Sequence, residues 1–490
     1  MSRVLVVGID GGTFDLIKPW AEEGILPNMT GLMERGSWAP LASTLPPVTS
    51  PAWPTFATGK NPGKHGVFDF IRPMGGEFEL INSSSIKAQT LWQILSAAGK
   101  RVGVINVPVT YPPTPVNGFV IGGMLSPMSG AFTFPANLLD PYYSDLGEYR
   151  VAPSVQYKHG REVELIDDLI HLVEQRGRYA LRLMKDKPWD FYMAHFQASD
   201  VLQHALWQFL DPSHPNHDVQ AAEEVVPRVQ DVFARIDSYI GLMLDQAGHD
   251  TSVLLMSDHG FGPLHWVVNV NLLLLDAGLL HLKKGVFTRL RAGLFRAGLT
   301  PAAVWHLIER VGLQNYVWRV SKSTRNKVVS KFLSFDDVDW SRTRAYSIGH
   351  VGQIYVNLQG REPNGIVASG QEYEAVCQEI TAALEQLRHP TTNQPMVERV
   401  YPGSEAAHGP YASRGADLHV VFDGYKAIAF PLFATDGRLV TKQIRGDSGS
   451  HRLHGMLIAA GPEVQQGAQV DSPNIVDLAP TILHMMQLPV

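Results

Sequence analysis

Short apolar runs alternating with amphipathic stretches constrain this chain more than any other feature. The runs Arg101–Pro108, Asp190–His195, Ser252–Met256, Asp417–Phe422 and Gly455–Ala460 have the length and apolar content of buried strands. Between them, Thr90–Ala98, Glu162–Met184, Ala221–Gln246 and Tyr373–Leu387 carry apolar residues at helical spacing. Such alternation builds a doubly wound α/β fold around a largely parallel sheet. At 490 residues the chain exceeds one comfortable core, and from Leu264 to Ser347 the rhythm breaks into a helix-rich stretch. The expected organisation is an α/β core in two parts, 1–263 and 348–490, with a helical cap insertion at 264–347.

Charge follows the same division. Between Lys283 and Lys331 stand eleven Lys or Arg against a single acid, Glu309, whereas the whole chain has a net charge of −6. The remainder therefore carries about −16. An acidic chain of this kind is not expected to take a nucleic-acid polymer as its partner. The basic insert, by contrast, could overhang a cleft and attract an anionic substrate, with Arg289, Arg291 and Arg296 steering, or rest peripherally on a membrane surface. The single cysteine, Cys377, excludes an internal disulfide. The chain enters its first apolar run without a charged leader, and a tract such as Val267–Leu280 is too short and too polar to span a bilayer. A cytoplasmic location is expected; the sequence indicates no oligomeric state.

Chemistry concentrates where strands end. Asp258 and His259 directly follow the run closing at Met256, which delivers a carboxylate and an imidazole to the edge where α/β sheets place their ligands. Asp10 closes the opening run Arg3–Ile9 in the same way, and Asp200 and His204 share one helix face at i, i+4. Carboxylates and imidazoles are the donors of a catalytic metal site. Thr49 lies in a proline-punctuated loop before a helix-like run at Thr55–Gly59, where a hydroxyl can sit near helix N-terminal N–H groups that favour phosphate.

Taken together, Gly8-Ile-Asp-Gly-Gly12, Thr49-Ser-Pro-Ala-Trp53 continuing to Thr58-Gly-Lys-Asn-Pro-Gly-Lys-His65, Asp200 with His204, Ser257-Asp-His-Gly260 and Gly449-Ser-His451 resemble the type I phosphodiesterase and nucleotide pyrophosphatase branch of the alkaline phosphatase superfamily. The resemblance implies that Thr49 is the nucleophile. It also implies that Asp10, Thr49, Asp258 and His259 surround one divalent ion while Asp200, His204 and His451 hold a second. The family's usual metal is zinc, with manganese or iron as alternatives. The implied activity is metal-dependent hydrolysis of phosphodiester or pyrophosphate bonds in a small phosphorylated substrate, through a phosphothreonine intermediate. Lys60 would steer the anion and Trp53 would form an apolar wall for the substrate.

Rival readings keep the fold and change the target. One is a phosphomonoesterase, or a lipid-headgroup phosphohydrolase or transferase; another is a non-catalytic phospholigand or membrane-surface module. Nucleotide-cleaving relatives commonly carry Phe after the nucleophile and Asn where Ala52 aligns, whereas this chain has Ser50 and Ala52, which weakens a nucleotide substrate. A sulfatase would need Cys or Ser followed by x-P-x-R, which the Val48–Trp53 loop lacks. The Gly8–Thr13 loop also resembles that of sugar kinases, but it continues into Phe14-Asp-Leu rather than a second Asp-Gly loop. His454 competes with His451 as the last ligand. His65 is expected to give structural support, His195 to be a satisfied core residue, and His214 and His217 to be solvated.

Overall fold

The computed structural model describes residues 3–490 except 75–76, 128–129, 301–302, 304–331, 350, 431–432, 434–436 and 444–445. Much of the basic stretch, from 304 to 331, thus lies outside the described residues.

Eight strands form the first sheet: β1 (Arg3–Ile9), β2 (Ser37–Ala42), β3 (Val102–Ile105), β4 (Gly118–Ile121), β5 (Thr133–Phe134), β6 (Phe191–Phe196), β7 (Thr251–Met256) and β8 (His454–Ala460). Their spatial order is β2-β8-β7-β1-β6-β3-β4-β5. The central strands β7, β1, β6, β3 and β4 run parallel. At one flank β8 is antiparallel to β7 and β2, and at the other β5 is antiparallel to β4.

Helices α1 (Phe14–Glu22), α2 (Thr49–Thr58), α3 (Glu162–Asp186), α4 (Ala198–Leu210), α5 (Val219–Ala247) and α6 (Leu478–Met485) cover both faces of this sheet. The period-2 alternation of β1 shows why both are needed. Leu5, Val7 and Ile9 enter an apolar cluster with α1, α3, α4 and α5, while Val4 and Val6 enter a second with α2 and α6. All five side chains are fully buried. Among the described residues no helix is long and apolar enough to cross a membrane.

Sheet membership redraws the expected domain division. Trp266–Val268, inside the stretch expected to be a helical insertion, is a strand that pairs with Ala427–Ala429 and Val440–Lys442. Ala345–Ser347, Gln353–Val356 and Leu418–Phe422 extend the same second sheet, with Val397–Pro402 on its side. This sheet has its own apolar cluster, running from Val268 to Phe433. The chain therefore returns to the first sheet at β8 and not at 348, and the run at Asp417–Phe422 belongs to the second sheet. Apolar alternation marks a strand, but its sheet and direction depend on long-range register. A separate pair, Gly260–Pro263 with Gly449–Arg452, is antiparallel and sets His451 opposite Phe261.

Candidate metal centre

Five pieces of backbone converge beyond the C-terminal ends of the parallel strands. Asp10 is the first residue after β1, and Asp258 and His259 come just after β7. Helix α4 follows β6 and presents Asp200 and His204 one turn apart, while the Gly449–Arg452 strand brings in His451. Thr49 is the first residue of α2. That helix starts earlier than its two prolines suggested: Pro51 lies in the first turn, where an absent N–H leaves no intrahelical bond unmade, so Thr49 sits on the helix and not in a preceding loop.

Two donor groups result, one of Asp200, His204 and His451 and one of Asp10, Asp258 and His259, each with its ligand atoms within 4.8 Å of one another. In the first, Asp200 Oδ1 lies 3.5 Å from His204 Nε2 and 3.3 Å from His451 Nε2. In the second, His259 Nε2 lies 3.2 Å from Asp258 Oδ2 and 3.6 Å from Asp10 Oδ1. Thr49 joins the second group, its Oγ1 being 3.1 Å from His259 Nε2. The groups adjoin, since the rings of His259 and His451 stack with centroids 3.6 Å apart.

Backbone carbonyls aim the three imidazoles. The Nδ1 atoms of His204, His451 and His259 face the carbonyl oxygens of Gly449 (3.2 Å), Pro47 (2.8 Å) and Gly260 (3.1 Å). Each Nδ1–H is thereby the donor, and each Nε2 keeps its lone pair for the centre. His204 Nε2 and His451 Nε2 then face each other at 2.9 Å. Two lone pairs so placed repel unless a cation lies against both.

The carboxylates make the same demand. Asp10 Oδ1, Asp200 Oδ1 and Asp258 Oδ2 are buried acceptors with no hydrogen-bond partner among the described residues. Burial, followed by the charges of Asp258 and Asp200, pushes Asp10 well above the usual carboxylate range. Burial and then Asp200 raise Asp258 to about 7. Asp200 is also buried, yet His204, His451 and His259 hold it below its usual value. Burial and then His451 push His259 well below its ordinary value, which keeps it neutral. Orphaned carboxylate oxygens, imidazoles aimed by backbone carbonyls and mutual anionic repulsion in a buried site fit a pair of divalent cations.

Other candidates fall elsewhere. His451 faces the centre, whereas His454, the first residue of β8, is exposed. Trp53 is fully buried, with its indole edge-on to His195 at 4.7 Å between centroids, so it is core packing beneath the site and leaves no face for a substrate. Lys60 is exposed beyond the far end of the ten-residue α2, roughly 15 Å along the axis from Thr49 at the usual helical rise, and so is remote from that hydroxyl. His65 is buried and bonds Thr55 Oγ1 at 2.9 Å, tying α2 to the following turn. His214 is buried rather than solvated, donating to Leu264 O at 3.2 Å, and His217 is half-buried against Gln208 O. Of the three arginines expected to steer substrate, Arg291 pairs with Asp337 and Arg296 with Asp276.

His195 has more to do than core packing. Its Nε2 lies 3.0 Å from Asp10 Oδ2, and burial lowers its pKa to about 3, so the neutral ring donates Nε2–H to Asp10 and leaves Oδ1 directed at the centre. Parallel register pairs Gly8 with His195, a relation between strands 187 residues apart that no local pattern reveals. A cavity of about 540 Å³ lies elsewhere, lined by Phe68, Asp69, Trp340, Tyr346 and Tyr355 among others, and none of its lining residues belongs to the two donor groups.

A model of type I phosphodiesterase / nucleotide pyrophosphatase matches residues 4–450. The chain belongs to this family. No curated protein sequence matches it. Among solved structures it is similar to phosphonoacetate hydrolase from Sinorhizobium meliloti 1021 in complex with phosphonoacetate, with TM-score 0.57, 15% identity, and coverage of 99% of this chain and 95% of that one. It is also similar to human ectonucleotide pyrophosphatase / phosphodiesterase 5, with TM-score 0.52, 16% identity, and coverage of 100% and 96%. The murine form of that protein, inactivated by a threonine-to-alanine change and in complex with AMP, gives TM-score 0.53 at 14% identity, with coverage of 100% and 96%. At these identities the likeness establishes the fold, which is of alkaline phosphatase type. Family membership makes the chain a phosphoester hydrolase.

Proposed function

We propose that the chain hydrolyses phosphodiester or pyrophosphate bonds in small phosphorylated substrates by way of a phosphothreonine at Thr49. The observation that carries this reading is the meeting of Thr49 with two complete donor groups at one sheet edge. Asp10, Asp258 and His259 would hold one divalent ion beside Thr49, and Asp200, His204 and His451 the other. Three imidazoles with three carboxylates suit zinc, and manganese or iron would also accept them. Bound there, the cations would lower the pKa of the threonine hydroxyl and stabilise charge on the departing oxygen.

The chain's own groups supply the rest. Thr49 opens α2, so a phosphoryl group in front of Oγ1 meets the positive end of that helix. Its Oγ1 would attack phosphorus in line, expelling the leaving group, and water would then release the phosphoryl group from Thr49. Near-complete burial holds Thr49 in one orientation for that attack. The matching folds that hold phosphonoacetate and AMP support a small phosphorus-bearing anion as substrate. The test is hydrolysis of bis(p-nitrophenyl) phosphate against p-nitrophenyl phosphate after reconstitution with zinc or manganese. The reading expects a diester preference; a strong monoester preference would move the assignment to a phosphatase.

A further inference from the structure

The Val286–Arg296 helix packs one side against the second sheet's cluster and leaves an apolar side in solvent. On the inner side Thr288 and Phe295 are buried, Thr288 donates to Asp337 Oδ1 at 2.8 Å, Arg291 pairs with Asp337, and Phe295 meets Phe433 edge-on at 5.8 Å. On the outer side Val286, Phe287, Leu290 and Leu294 are 79%, 75%, 58% and 38% exposed. At 3.6 residues per turn these four fall within an arc of roughly 100°. Apart from the terminal Val490, Val286 and Phe287 are the most exposed large hydrophobic residues described. Such a stripe is unusual on a surface of isolated apolar residues.

Its borders are cationic. Lys283 and Lys284 are exposed just before the helix, and Arg289 and Arg296 are exposed along its flank. Among the described residues Lys283 Nζ bonds a backbone carbonyl, that of Asp336, and Arg296 shares a surface pair with Asp276. Lys284 and Arg289 have no ion-pair partner among the described residues. An apolar stripe between cations is the pattern of a helix that lies in the headgroup layer of a bilayer. Four apolar side chains alone bind weakly, so the surface they fit also has to attract the cations.

We infer that the Val286–Arg296 helix is a docking surface for an anionic lipid bilayer. Sedimentation of the full chain with vesicles tests this without reference to catalysis. Binding to phosphatidylcholine containing about a third phosphatidylglycerol is expected to exceed binding to phosphatidylcholine alone and to weaken with salt. Lys284→Gln with Arg289→Gln should lower the partition coefficient roughly 25-fold, at about fivefold per charge. Phe287→Ser with Leu290→Ser should abolish binding while leaving the melting temperature and diester hydrolysis in solution unchanged, since both side chains are exposed.

Four results would overturn the inference. The first two are failure of the unaltered chain to bind anionic vesicles, and undiminished binding by the Phe287→Ser/Leu290→Ser variant. A fall in that variant's melting temperature would show the stripe packed against protein. Self-association of the unaltered chain that the same variant abolishes would assign the stripe to a second copy.

Discussion

Replacing His195 by Phe should weaken one metal of the pair and spare the other. The phenyl ring retains the edge contact with Trp53 but removes the donor 3.0 Å from Asp10 Oδ2. Asp10 would then hold two buried oxygens without a protein partner, since Oδ1 already lacks one. An unsatisfied buried acceptor costs about 1–3 kcal/mol, and loss of an outer partner to a metal-binding residue lowers affinity about 10–100-fold. We therefore expect a 10–100-fold weaker ion at Asp10, Asp258 and His259. The ion at Asp200, His204 and His451 should keep its affinity, because no hydrogen bond joins His195 to those side chains. His195→Gln, which restores an amide donor, should recover most of the loss. Competitive zinc titration against a chromophoric chelator, with thermal melting as a check on folding, reads both sites. Equal weakening of both ions, or of neither, would refute the positioning role given to His195.

Three further expectations follow from the same geometry. Thr49→Ala should reduce diester turnover by several orders of magnitude while metal content stays near two per chain, and Thr49→Ser should retain part of the rate, as steady-state kinetics with elemental analysis will show. His451→Ala should lose one metal and nearly all activity, whereas His454→Ala, altering an exposed side chain, should change neither. Gly8→Ala places a Cβ 2.6 Å from Trp53 and 3.2 Å from His195, so it should destabilise by about 1–3 kcal/mol in urea unfolding and weaken the Asp10 ion along with it.

Elements whose stability is local were legible in the sequence. Glu162–Met184 and Ala221–Gln246 show helical spacing, and the structure has helices at Glu162–Asp186 and Val219–Ala247. The runs before Asp10 and Asp258 are strands because both faces of the central sheet are covered, which produces near-continuous apolar sequence. The second sheet was not legible. Apart from the run Asp417–Phe422, its strands left no clear signal: Trp266–Val268 has three residues and pairs with partners more than 150 residues away, so no local period marks it. Asp10, Asp258 and His259 stood out because they follow strands, and Asp200 and His204 because they share a helix face, whereas His451 was legible only through the family motif Gly449-Ser-His451. Lys60 and Trp53 misled for a related reason: sequence proximity to Thr49 cannot say that α2 carries Lys60 to its far end and turns Trp53 into the core. His195 was undervalued because its partnership with Asp10 depends on strand register.

The stereochemical course at phosphorus tests the central claim most directly. Attack by Thr49 followed by attack of water comprises two in-line displacements, each inverting the phosphorus centre. Hydrolysis of a chiral phosphorothioate diester in heavy-oxygen water by the zinc-loaded chain should therefore proceed with net retention of configuration. Net inversion would show a single direct attack by water and would contradict the phosphothreonine route through Thr49.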